Sequence, residues 1–482
     1  MTAFSDAIKQ EIKKSKKTLL YLADASGLSL DHISKMRLGK RLPQDENKMK
    51  LLIAALECSE QVQEQLYSLY KIEKMGKSEW DCMQEMKKLL EFQGEFGQQN
   101  KVWKSAGEDH LRETAVLNNR GEIYDFLLCV MNSRWQIKDG KPGKLYMMTG
   151  MLPEDMVNLL VACFSRYPFL CEHCFSLCRN TSTEATLYNL RFLNQILPMI
   201  QVNDRYVPVY EYTELGAGNV RSCFAGESWA LELNRDMTGG IVIWNPEQIT
   251  FIKSYIRDIC RNGRKLVSWY QSPEEWVGDL CQYREYMKDE KRLQFTKEAG
   301  KTYYLEPSPC LIFLMPESML QKHILGDEQK RQHLMVLLER RRGQILEEDM
   351  VNFFTLEGVE RFAEEGRLSG IPDWMYEPFS PEERREILER YVEWMEQHER
   401  EYYVIDSRAL RLAPHMSLYS TSSMVNNAVS MCMSLGNQTY CMIQEQGISQ
   451  KINQLMRLME TGEFICEKEK GIQEVKRILK QM

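Results

Sequence analysis

The stretch "TLLYLADASGLSLDHISKMRLGKRLP", residues 18–43, packs two helix starts, a glycine turn and a basic loop into 26 residues. Thr18 and Ser29 stand where N-caps are wanted, because a hydroxyl can accept from the free N–H groups of a first helical turn. Gly27 lies between them, where a left-handed residue ends one helix before the next begins. Leu22, Ala23, Leu28, Ile33 and Met36 are apolar at the spacing that turns one face of each helix inward. Two short helices meeting at a steep angle, with the second carrying Lys35 and Arg37 and leading into Lys40 and Arg41, are therefore expected.

The same spacing continues on both sides. Phe4, Ile8 and Ile12 precede the pair, while Met49, Leu52, Ile53 and Leu56, and then Val62, Leu66 and Leu69, follow it. Five short helices over residues 1–75 are predicted, with Gly39 and Pro43 bounding the loop before the fourth.

These residues resemble the Cro and phage-repressor type helix-turn-helix domain over residues 4–72. The match is carried by Leu22-Ala23, Gly27-Leu28-Ser29, Ile33-Ser34 and the "GKRLP" loop. The resemblance implies an all-α, five-helix, lambda-repressor-like fold and sequence-specific binding of duplex DNA by a two-fold dimer. By position, Leu30, Asp31 and Lys35 would face base edges, Thr18, Ser29, Lys40 and Arg41 would be candidates for phosphate contacts, and Ser34 and Arg37 would belong to the same DNA-binding set. A lysine can donate to guanine, a leucine can meet a thymine methyl and an aspartate can accept from cytosine. Leu19 departs from the family, whose members often carry Gln after the cap of the second helix, and Leu30 is apolar where polar readers are common.

Charge is distributed to match. The net charge is -7, yet residues 1–75 hold 13 Lys or Arg against 10 Asp or Glu, and the first 41 hold 9 against 4. A basic head on an acidic remainder suits a chain that meets a polyanion at one end only.

With 482 residues, the chain is too long for one helical module, so a multidomain organisation is expected. Residues 76–118 are charged and read as a helical linker. Residues 119–482 alternate β-like runs, such as "GGIVIW" (239–244), "KTYYLEP" (301–307) and "CLIFLM" (310–315), with helical ones. The latter include "NPEQITFIKSYIRDICRNG" (245–263), "TLEGVERFAEEG" (355–366) and "SPEERREILERYVEWMEQHER" (380–400), each with its own cap. A large mixed α/β or α+β body is predicted, in one or two subdomains, to sense a small-molecule or peptide effector and to set the spacing of two heads. Residues 420–440 read as irregular, and terminal helices are expected at 448–460 and 471–481. No 34-residue repeat is present.

Fourteen scattered cysteines and a charged N-terminus point to a reducing, cytoplasmic setting, and no apolar run approaches the roughly 20 residues of a membrane span. "CEHCFSLC" (171–178) holds Cys171, His173, Cys174 and Cys178, with Cys163 nearby. Such a set could hold zinc or sense a soft metal or an oxidant. No second pair with knuckle spacing accompanies it, so buried free cysteines on one helical face are expected instead. "ELGAGNV" (214–220) reads as a turn rather than a phosphate loop. No nucleophile, base and acid fall into a catalytic pattern, so neither enzyme activity nor a cofactor is expected. An enzyme with a DNA-binding head, or a protein-interaction or defence module with a degenerate one, are the alternatives.

Overall fold

The computed structural model describes residues 2–92, 116–132, 143–166, 169–179, 182–214, 222–270, 302–328, 350–369, 373–398, 402–422, 427–435, 439–443 and 445–482, with a few isolated positions between them. Among the described residues there are fifteen α-helices and two mixed sheets, in two compact units, Met1–Glu85 and Met86–Met482. The division falls inside the segment expected as a linker.

The first unit is helical throughout: α1 (Ala3–Ser15), α2 (Leu19–Ser26), α3 (Leu30–Arg37), α4 (Glu46–Ala55), α5 (Glu60–Met75) and most of α6 (Lys77–Leu90). Its core holds Phe4, Ile8, Ile12, Leu22, Ala23, Leu28, Ile33, Met36, Met49, Leu52, Ile53, Leu56, Leu66 and Tyr70. Val62, Leu69 and Leu19 lie at its margin, partly buried. Thr18 and Ser29 accept from the N–H groups of Tyr21 and His32, and Gly27 takes φ +65° between the two helices. The Tyr70 hydroxyl donates to the Pro43 carbonyl at 2.8 Å, pinning the loop after α3 to α5.

The second unit contains an eight-stranded sheet ordered β1-β7-β6-β5-β2-β3-β4-β8. Its parallel centre is β2 (Gly143–Met148), β3 (Phe169–Cys178) and β4 (Tyr206–Thr213). These are joined through α8 (Glu154–Arg166) and α9 (Thr183–Val202). Antiparallel strands flank it: β1 (Val116–Leu117), β5 (Ser222–Ala225), β6 (Ala230–Leu233), β7 (Gly240–Ile243) and β8 (Arg264–Lys265). β1 belongs to the tail of the expected linker, which thus ends as sheet. α7 (Arg120–Asn132) follows β1, and α10 (Pro246–Asn262) follows β7, capped by Asn245 with Pro246 in its first turn.

A second, seven-stranded sheet runs β12-β11-β10-β13-β14-β15-β9. β10 (Thr302–Leu305), β11 (Met350–Phe354) and β12 (Tyr402–Val404) are parallel. β9 (Val267–Tyr270), β13 (Met416–Ser422), β14 (Asn427–Leu435) and β15 (Thr439–Ile443) are antiparallel. α11 (Glu317–His323), α12 (Leu356–Glu365), α13 (Pro381–Gln397), α14 (Gln446–Glu460) and α15 (Lys468–Gln481) complete the unit. α12 runs from its Thr355 cap to left-handed Gly366, and α13 carries the expected Ser380–Glu383 capping box.

Three expectations are corrected. Residues 169–178 form a strand at the middle of the first sheet, not a helix: both faces of that strand are covered, so cysteines at steps of three and four satisfy its burial as well as they would a helix. "CLIFLM" contains a 3-10 turn, Ile312–Leu314, rather than a strand, because Pro309 and Pro316 on its two sides cannot donate to a ladder. Most of residues 420–440 are strand: β13, β14 and β15 pair successively in antiparallel fashion, and pairing between neighbours decides strand formation over their Ser-, Met- and Asn-rich composition.

Candidate nucleic-acid interface

The first unit offers one surface where basic, polar and apolar side chains converge outward. α3 begins at a capped N-terminus, and its first turn exposes Leu30 and Asp31 while Ile33 and Met36 turn into the core. That split follows from helix geometry, since residues three and four apart share a face. Leu30 is 44% exposed although it is apolar. Lys35, Lys40 and Arg41 are exposed, whereas Ser34 and Arg37 are half-buried, and the buried Nε of Arg37 has no hydrogen-bond partner. Thr18 and Ser29 are exposed, but each hydroxyl oxygen is already occupied as a cap acceptor. Each can still donate its O–H, which suits a phosphate oxygen.

Lys35 is not free. Its Nζ donates to Asp31 Oδ2 at 2.8 Å, one helical turn earlier, and this bond with Lys35 holds the Asp31 carboxyl below the usual carboxylate range. The pair is exposed, so either member can exchange it for another partner at small cost.

Several exposed or half-buried side chains of the unit escaped the sequence reading. Leu20, Tyr21 and Leu38 are 60%, 45% and 52% exposed, an apolar fringe at α2 and the end of α3. Lys17 lies over the Tyr21 ring and ion-pairs with Glu57. Between α3 and α4 an open recess of about 530 Å³ is lined by His32, Arg41, Asp45 and Lys48, among others. Burial, followed by the charge of Arg41, pushes the His32 imidazole down, so it stands neutral beside two cations. No periodicity marks this group, because the fold assembles it from a helix, a loop and the next helix.

The Ser26 hydroxyl also escaped notice. It donates to the Leu22 carbonyl and accepts from the Leu28 N–H, bracing the turn at Gly27 from within. A serine directly before the turn glycine is the sequence signal for it.

In the second unit, the "CEHCFSLC" groups do not converge. Cys171 and His173 lie on one face of β3, and Cys174 and Cys178 on the other. His173 is fully buried and bonded at both nitrogens, Nε2 to Thr149 Oγ1 at 2.7 Å and Nδ1 to Tyr206 Oη at 2.6 Å. Burial pushes its pKa down to about 3. Cys163 is buried in α8, which pushes its thiol up to about 12. Among the described residues, no group of three or more His, Cys, Asp or Glu side chains is placed to hold a metal ion. No helix of the described residues is long and apolar enough to cross a membrane. The "ELGAGNV" turn lies, beyond Glu214, outside the described residues.

Comparison of the chain with protein-family models, with curated proteins and with solved structures found no match.

Proposed function

We propose that the chain is a cytoplasmic, homodimeric transcriptional regulator whose first unit is a helix-turn-helix reader of duplex DNA. The observation that carries this reading is the pair α2–α3: two capped helices joined at left-handed Gly27, with Leu22, Ala23, Leu28, Ile33 and Met36 inward and Leu30, Asp31 and Lys35 outward. A helix presented in this way can enter a major groove while the N-terminus of its neighbour meets the backbone. Lys35 and Leu30 supply base contacts, and Lys40 and Arg41 supply salt-dependent attraction. The second unit binds a small-molecule or peptide effector and sets the distance between two readers, which half-sites one helical turn apart fix at roughly 34–36 Å.

The test is selection of bound fragments from genomic DNA by the full chain, followed by titration of a selected fragment at several salt concentrations. Arg41→Ala is expected to weaken binding to every sequence and to lower the salt slope by about 0.9. Lys35→Ala is expected to relax preference at one base pair by about 1–3 kcal/mol. Selection of no sequence, or two variants that bind like the parent, overturns the reading. Light scattering at binding concentrations should return a dimer.

A further inference from the structure

The cysteines of β3 share no ligand with one another, yet Cys174 faces a sulfur from another element. It lies mid-strand, 1% exposed, on the face that α10 covers. Met148 of β2 is in register with it on that face, and Cys223 of β5 is in register with Met148 on the far side. α10 lies over this row with Ile249 and Ile256 buried and with Cys260, half-buried, in its last turn. One turn before Cys260, Arg257 donates to the Tyr146 hydroxyl at 2.6 Å and stacks on that ring, which anchors the C-terminal half of α10 to β2. Cys260 thereby packs against the buried cluster that holds Cys174, and the nearness of its sulfur, with burial, pushes the Cys174 thiol well above its ordinary value. Both are free thiols. The other cysteines of β3 are placed differently: Cys171 Sγ lies against Met147 Sδ at 3.5 Å on the opposite face, and Cys178 closes the strand where Asn189 bonds its backbone.

We propose that Cys174 and Cys260 are a peroxide-reactive pair, which a hydroperoxide converts into a disulfide tying the last turn of α10 to the centre of the first sheet. Roles follow from burial. Cys260 reaches solvent and meets the oxidant, and Cys174, shielded beneath it, resolves the product. The Cys260 thiolate attacks the terminal peroxide oxygen, the O–O bond breaks, and an alcohol (water, from hydrogen peroxide) leaves with one proton, giving a sulfenic acid. Cys174 sulfur then attacks the Cys260 sulfur: the S–S bond forms, the S–O bond breaks, and hydroxide leaves as water with the Cys174 proton. Two thiols and one hydroperoxide thus become one disulfide, one alcohol and one water. A disulfide requires Cα atoms about 4.4–6.8 Å apart, closer than a helix usually lies on a sheet, so closure draws the end of α10 inward. The inference concerns the second unit alone and stands whether or not the first binds DNA.

The full chain, treated with hydrogen peroxide, alkylated under denaturing conditions and digested with trypsin without reduction, gives the answer by mass spectrometry. Expected is the 167–179 peptide joined to the 258–261 peptide, with fragment ions that place the bond on Cys174. The joined species should persist in Cys171→Ser and vanish in Cys260→Ser. If Cys260 emerges as sulfinic acid while Cys174 is alkylated, or if the bond maps to Cys171 or Cys178, the proposal is overturned. The wild-type map decides by itself should a variant fail to fold.

Discussion

The first unit turns its chemistry outward, and the second turns it inward. Leu30, Asp31, Lys35, Lys40 and Arg41 stand in solvent on a small helical core, while His173, Tyr206 and Thr149 satisfy one another with no access to water. The cause lies in architecture. A set of short helices buries one stripe of each and leaves the rest exposed, whereas a sheet with helices on both faces buries nearly every residue of its central strands. Exposed polar groups cost little and remain available to a partner. Buried ones must be paired, so His173 reports on packing and not on ligand binding.

The sharpest way to break this contrast is to attack each core. Leu22 is fully buried between α2 and its neighbours, and Leu22→Ala should cost the first unit about 2–5 kcal/mol. A denaturation curve of the full chain should then show an early transition, with the rest of the signal unmoved. In the second unit, pH is the probe. The folded His173 pKa is depressed to about 3, while an unfolded chain titrates near 6.5. Between those values the unfolded state holds more protons, so stability falls as pH drops below about 6.5, by at most about 1.4 kcal/mol per unit. His173→Gln should flatten that acid limb relative to the wild type. Parallel pH profiles for the two proteins would contradict it.

The two units also differ in how far sequence revealed them. In the first, each helix is a local event: a cap at Thr18 or Ser29, a stop at Gly27 and apolar residues three and four apart can all be read within a dozen residues. In the second, α10, α12 and α13 were legible for the same reason. The strand at 169–178 was not, since its cysteines keep the spacing of a helical face while both faces of the strand are covered, and β13 to β15 were not, since what makes them strands is the chain they pair with. Of the interface, the basic residues and caps could be read. The Asp31–Lys35 bond follows from i, i+4 spacing yet was missed as a restraint on Lys35. The recess around His32 depends on α3 and α4 meeting, which no local pattern encodes.

The caps allow a finer test of the local account. Ser29→Ala removes the acceptor of the His32 N–H and should cost about 1 kcal/mol, visible as a small shift in the first-unit transition. It also removes a hydroxyl from the side proposed to face DNA, so a loss of binding larger than the loss of stability would separate the proposed contact from the cap.

The smallest effect on the fold should come from Asp31→Asn, because the pair it breaks is exposed and Ser29 still caps the helix. Its effect on binding is the more discriminating. At present the Asp31 carboxylate both engages the Lys35 ammonium and sets a negative charge at the start of the helix that would enter the groove. The asparagine releases Lys35 and removes that repulsion, so affinity for mixed-sequence DNA should rise, while discrimination at the base pair that Asp31 is proposed to face should fall. A variant that melts with the wild type yet binds mixed-sequence DNA no more tightly would place the contact surface elsewhere on the first unit. The contrast would then survive as a fact about burial and fail as an account of recognition.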